Sequence, residues 1–80
     1  MHTVYVLESK KDNKWYIGCT SNLARRLVEH NGGKVLSTRF RKPFSLLFKE
    51  EFSDVYEAFR TERFYKTAKG KKILKQKICR

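Results

Sequence analysis

No apolar run in this 80-residue chain approaches the ~20 residues that a bilayer-spanning helix needs. The longest nearly apolar run, Phe44 to Phe48, is only strand-sized. A secretory leader is not expected either, because the apolar patch from Val4 to Leu7 runs straight into Glu8, Lys10 and Lys11. Neither a membrane span nor a signal peptide is therefore expected, and the expected location is cytoplasmic. Cysteine is scarce: Cys19 and Cys79 lie too far apart in sequence for a CxxC pair, and in a reducing compartment they are expected as free thiols. Zinc finds no ligand spacing, since His2, His30, Cys19 and Cys79 would have to converge from unrelated positions. Acidic residues are few as well, 8 Asp+Glu against 19 Lys+Arg, for a formal charge of +11. That density of positive charge works against compactness unless a polyanion shares it, so nucleic acid is the first partner to expect.

What is present argues for a folded chain. The 40% hydrophobic and 14% aromatic content is far more than a disordered basic tail carries. The length suits one domain with a thin core, expected over residues 1–80. Thr3 to Leu7 alternates as a strand, Lys10 to Asn13 makes a polar turn, and Trp15 to Cys19 resumes the strand pattern, which predicts a β-hairpin. Its alternation puts Val4 and Val6 on one face, Tyr5 and Leu7 on the other, and sets Tyr16 and Gly18 opposite Trp15, Ile17 and Cys19.

A helix is predicted from about Asn22 to Asn31, capped by Thr20, Ser21 or Asn22 and stopped by Gly32 and Gly33. Stepped at about 100° per residue, it groups Leu23, Ala24, Leu27 and Val28 and sets Asn22, Arg25, Arg26, Glu29 and His30 opposite. Lys34 to Lys42 reads as a basic loop and Pro43 to Glu51 as a third strand. Asp54 with Glu57 makes a capping box for a helix over about Val55 to Ala68. Gly70 then separates it from a short basic helix carrying Ile73, Leu74 and Ile78. The order is ββαβαα. No internal repeat is present, and after Glu62 the chain holds basic but no acidic residues.

Three groups of residues stand out. In the second helix Glu62 falls within the apolar stripe of Val55, Ala58, Phe59 and Tyr65. It reads either as an i,i+4 partner of Lys66 at the edge of that stripe, or as a ligand kept there at a cost in desolvation. Arg26 and His30, also i,i+4, either converge on a phosphate or form a solvated face. Tyr5 and Tyr16 lie on neighbouring strands, where tyrosines usually serve as packing residues.

Taken together, these residues resemble the GIY-YIG endonuclease superfamily, and the resemblance covers nearly the whole chain. The second strand motif is intact as Tyr16-Ile17-Gly18, while the first reads Thr3-Val4-Tyr5 and keeps the tyrosine without the glycine. The stretch from Gly18 to Asn31 is similar to the family's Gly-x-(Thr/Ala)-x-(Asp/Asn)-Leu-x-x-Arg-Leu-x-x-His-Asn pattern and aligns Arg26 with the catalytic arginine. Thr38, Arg39, Arg41 and Pro43, then Glu50-Glu51-Phe52, and Glu62 with Lys66 and Gly70, resemble the small stand-alone bacterial members. The N-terminal nuclease domain of the bacterial excision-repair endonuclease is a more distant likeness.

The resemblance implies an α+β fold, a three-stranded antiparallel sheet flanked by helices, and a phosphodiester hydrolase acting on nucleic acid. DNA is the expected substrate, chosen by structure rather than by sequence. The implied catalytic residues are Tyr5, Tyr16, Arg26, His30 and Glu62, with Gly18, Arg39, Arg41, Lys66 and Lys69 on the substrate side. Glu62 would hold one divalent ion, Mg2+ or Mn2+, bound weakly without substrate because a single carboxylate serves it. Arg26 would offset charge on the phosphate, and one of the tyrosines would take a proton from the attacking water. A phenol of pKa near 10 needs a cation beside it for that role. Gly18 is expected to keep the space between the second strand and the first helix open. A targeting partner protein or a homodimer would direct the domain to its substrate. The alternative is a basic nucleic-acid-binding module with weak or lost activity.

Overall fold

The computed structural model describes residues 1–79. In it β1 (His2–Ser9) and β2 (Trp15–Thr20) form the predicted hairpin, followed by α1 (Leu23–Asn31), β3 (Phe44–Phe52), α2 (Val55–Tyr65) and α3 (Ala68–Ile78). The fold is α+β with the order ββαβαα. Both β2 and β3 pair antiparallel with β1, so the sheet runs β2-β1-β3 and β1 is its middle strand. Val4, Tyr5, Val6 and Leu7 are accordingly covered on both sides of the sheet. Strand alternation divides them: Val4 and Val6 pack with Ile17 against Ala58, Tyr65 and Leu74 of α2 and α3. Tyr5 and Leu7 pack with Phe44 and Tyr16 against Leu23 and Leu27 of α1.

Asn22 caps α1, its side chain accepting from the Arg25 amide at 3.1 Å. The other end of the helix is tied to β3. Asn31 Oδ1 accepts from the Phe44 amide at 2.6 Å, and Asn31 Nδ2 donates to the Phe44 carbonyl at 3.3 Å. Between these points the face that α1 buries differs from the one its apolar periodicity selects. Ala24 is exposed and Val28 is 71% exposed, whereas His30 is fully buried. The helix turns Leu23, Arg26, Leu27 and His30 toward the sheet. Polar partners on that side satisfy the imidazole, which removes the usual penalty for burying it.

Asp54 caps α2 by accepting from the Tyr56 amide at 2.9 Å. The boundary between α2 and α3 is the second departure from the sequence reading, because α2 stops at Tyr65 and Thr67 caps α3 by accepting from the Gly70 amide at 3.0 Å. Gly70 therefore lies inside α3 rather than between two helices. Its role is contact: a Cβ there would run into the Phe64 carbonyl and come within 2.9 Å of the Tyr65 Cα, so only glycine lets α2 and α3 approach this closely. Tyr65 then links three elements, donating to Glu50 Oε1 at 2.6 Å and accepting from Lys77 Nζ at 2.8 Å.

The basic loop is anchored at the hairpin turn. Buried Ser9 accepts from the Lys11 and Asp12 amides at 3.1 and 3.3 Å and donates to the Arg41 carbonyl. Lys11 Nζ donates to the Phe40 carbonyl at 3.2 Å, and the Arg41 guanidinium meets Asp12 at 3.2 Å. The hairpin turn thus holds the Phe40–Arg41 end of the basic loop in place.

Candidate active site

The centre of the site is set by strand register. Tyr5 pairs with Gly18 across β1 and β2, and the Tyr5 ring lies over that glycine. A Cβ at Gly18 would run into the Tyr5 hydroxyl and come within 2.6 Å of Cζ. The space that the sequence reading reserved beside Gly18 is therefore occupied by the phenol of Tyr5. Tyr16, two residues earlier on the same face, is half-buried, and its ring centroid lies 6.4 Å from that of Tyr5. His30 joins both, with ring centroids 4.8 Å from Tyr16 and 6.1 Å from Tyr5.

A directed chain of hydrogen bonds follows from the burial of these groups. The Tyr5 hydroxyl lies 3.2 Å from His30 Nε2, and His30 Nδ1 lies 2.8 Å from the hydroxyl of Thr38, which is itself fully buried. Burial pushes the Tyr5 phenol up to about 12, so it keeps its proton and donates to Nε2. Nδ1 then carries the imidazole proton and donates to Thr38 Oγ1, which in turn reaches the Val35 carbonyl at 3.5 Å. Burial, and after it the Arg26 charge, lowers the His30 pKa, which keeps the ring neutral as this chain requires.

The same arrangement makes stability depend on pH. With the folded-state pKa of His30 below its ordinary value near 6.5, the unfolded chain takes up the proton first as pH falls, so the contribution is complete above about pH 6.5 and is lost below it. The melting temperature of the protein should therefore fall between pH 7.5 and pH 5 by more than that of His30→Gln, which cannot titrate. Parallel acid shifts in the two proteins would overturn the assignment of a neutral buried His30.

Arg26 reaches this cluster from α1. Its guanidinium is held by Glu29 at 3.1 Å, which chiefly raises its pKa, and both Tyr5 and Tyr16 lie within reach of its charge. Arg25, by contrast, points outward with its side chain 68% exposed. Glu62 approaches from α2, with its side chain 20% exposed and Oε2 paired to Lys66 at 3.0 Å. Glu62 lies on the inward side of α2 and pairs with Lys66, the i,i+4 partner expected for it. Its charge opposes ionisation of the Tyr5 phenol and of the Cys19 thiol, and so it stands near the β2 edge of the sheet.

The expected substrate-side residues are dispersed. Lys66 accompanies Glu62, Lys69 is exposed in the first turn of α3, and Arg39 is exposed on the loop with its guanidinium 4.8 Å from the Phe40 ring centroid. Arg41 is drawn to the hairpin turn by Asp12. Two residues were missed as functional candidates. Thr38 fixes the orientation of His30; the family resemblance includes this threonine, but the local pattern of a basic loop does not show that it turns inward. Glu29 orients Arg26, and its i,i+3 spacing was the available signal.

Among the described residues no group of three or more His, Cys, Asp and Glu converges to cage a metal. The lone inward carboxylate of Glu62 fits a hard divalent ion that keeps several waters and takes further oxygens from a phosphate. It does not fit zinc, and both cysteines are free.

The family description "GIY-YIG catalytic domain" matches residues 1–77. The chain is 42% identical over 72 residues to the UPF0213 protein YazA of Bacillus subtilis, covering 89% of this chain and 72% of that protein. A UPF0213 protein of Staphylococcus haemolyticus is 40% identical, covering 92% of this chain and 90% of the relative. Among solved structures, the solution NMR structure of a UPF0213 protein from Bacillus halodurans superposes with a TM-score of 0.57 at 39% identity, covering 91% of this chain and 80% of that one. No helix among the described residues is long and apolar enough to cross a membrane.

Proposed function

Because the chain belongs to the GIY-YIG catalytic-domain family, a nuclease family acting on nucleic acid, we propose that it is a metal-dependent endonuclease hydrolysing phosphodiester bonds in DNA of particular structure rather than particular sequence. The observation that carries this reading is the convergence of Arg26, Tyr5, Tyr16 and His30 on one face of the sheet, with the Glu62 carboxylate on α2 near enough for its charge to act on Tyr5. Selection by structure is supported by basic residues spread over the 34–42 loop and α3 with no base-reading motif among them.

The roles follow from the environments. Arg26, pre-oriented by Glu29, places a permanent planar charge where the phosphoryl oxygens become more negative in the transition state. Glu62 is the residue that would hold a divalent ion, which when bound supplies Lewis-acid stabilisation of the phosphate. Tyr5 is unsuited to accept a proton, being buried, raised to about 12 and engaged in donating to His30. Tyr16, half-buried and within reach of the Arg26 charge, is the tyrosine that, as its phenolate, takes the proton from the attacking water and becomes the phenol. Tyr5, His30 and Thr38 hold the cluster in position.

The test is cleavage of labelled duplex, branched and single-stranded DNA and RNA by the purified protein with Mg2+, with Mn2+ and with chelator. Cleavage of a DNA substrate that requires the metal is expected. Binding without cleavage under every condition would establish a basic binding module instead. Within this assay Tyr16→Phe should lower the cleavage rate by about 10²–10⁴-fold with little change in melting temperature. Tyr5→Phe should instead destabilise the fold by about 1–3 kcal/mol, because His30 Nε2 loses its buried donor. The reverse pattern in the two variants would exchange the roles of the tyrosines.

A further inference from the structure

A cavity lies on the other side of the sheet from the tyrosines. It encloses about 500 Å³ between the hairpin turn, the start of β2 and α3, and its lining includes Lys14, Trp15, Ile17, Arg41, Lys71 and Lys75. Trp15 and Ile17 alternate with Tyr16 along β2 and belong to the side packed by α2 and α3. This cavity is therefore separate from the site around Tyr16 and His30.

Its chemistry is one-sided. Four cations line it and no acidic residue does. Lys71 and Lys75 are spaced i,i+4 on one face of α3, and neither they nor Lys14 forms an ion pair among the described residues. Arg41 alone has its charge offset, by Asp12 at 3.2 Å. Gathering four like charges around a cavity costs self-repulsion that a bound anion relieves. The wall between them is the half-buried indole of Trp15, a flat π surface of the kind on which nucleobases stack. Its volume also falls within the range of small-ligand pockets.

From this geometry we infer that the cavity is a second binding site, one that takes a phosphorylated nucleoside with its base against Trp15 and its phosphate on Lys14, Lys71 and Lys75. The chemistry is shared by a free nucleotide and by one unit of a nucleic-acid strand. Binding here is independent of phosphodiester cleavage at the tyrosine cluster.

Trp15 is the only tryptophan in the chain, so its fluorescence reports directly on this cavity. The full-length protein in chelator and low salt should be titrated with AMP, with ADP and with a short single-stranded oligonucleotide, exciting the indole selectively. Saturable quenching by the oligonucleotide alone would assign the cavity to the strand path, and quenching by AMP or ADP would assign it to a free nucleotide. Either result supports the site. Lys71→Gln/Lys75→Gln should weaken the response and, with the oligonucleotide, lower its salt slope by about 1.4. Lys49→Gln/Arg60→Gln, which removes the same charge at exposed positions outside the cavity lining, should leave the Trp15 response in place. No quenching by any of the three ligands, or equal losses in both double variants, overturns the inference. Quenching that persists in a protein unable to cleave would leave this site standing while removing the nuclease reading.

Discussion

Glu62→Gln should abolish metal-dependent cleavage while leaving the fold intact. If the carboxylate holds the ion, its loss removes several kcal/mol of transition-state stabilisation, on the order of 10³-fold or more in rate. The structural cost should be small. The partner left without its counter-charge is Lys66, whose side chain is 53% exposed and whose ammonium water can solvate. Glutamine also keeps a carbonyl oxygen that can accept from it. A melt displaced by no more than about 1 kcal/mol is therefore expected, together with nucleic-acid affinity in chelator equal to or above that of the parent protein. The competing reading makes Glu62 a structural partner of Lys66 and nothing else, so that the variant would lose stability and keep its metal-dependent activity. That outcome would sink the mechanism, and the two measurements on one variant decide the matter.

That Glu62 could be singled out from sequence, while the interior face of α1 could not, has a physical basis. Glu62 interrupts an apolar stripe of which Ala58 and Tyr65 are buried and Val55 half-buried as the periodicity predicts, while Phe59 at the stripe's edge stays 42% exposed. In α1 the stripe itself misleads. Val28 and Ala24 supply apolar periodicity but meet solvent, because the sheet below them presents Tyr5 and Tyr16 and the loop presents Thr38, for which His30 and Arg26 are the fitting partners. Hydrophobic periodicity locates a core face only where the core is apolar, and here part of the core is a polar cluster. Gly70 shows a similar limit. A glycine near a helix end reads as a stop, whereas close approach of two backbones is a tertiary demand that local sequence does not reveal. The hairpin, the cap at Asp54, a cap for α1 among Thr20, Ser21 and Asn22, and the element order depend on local rules, and those were legible.

Gly18 tests the same distinction between local and tertiary demands, and its replacement should affect fold and site together. If the glycine kept a substrate path open, Gly18→Ala would leave the melting temperature unchanged and weaken substrate binding alone. The register of β1 and β2 argues for a different result, since a methyl group there would come within 2.6 Å of the Tyr5 ring. That ring is only 1% exposed, in contact with the core and bonded to His30, so it has little room to move aside. Overpacking of this kind costs about 1–3 kcal/mol. Gly18→Ala should therefore lower stability by that amount, and by displacing Tyr5 it should release His30 from its neutral, bonded state and weaken the acid dependence of the melt. A double-mutant cycle makes the cause explicit. Tyr5→Leu removes the ring and should be destabilising alone, yet in its presence Gly18→Ala should cost at least about 1 kcal/mol less than in the parent protein. Additive effects, or an unperturbed melt in Gly18→Ala, would show that the glycine is not there to accommodate Tyr5 and would return it to the substrate side of the site.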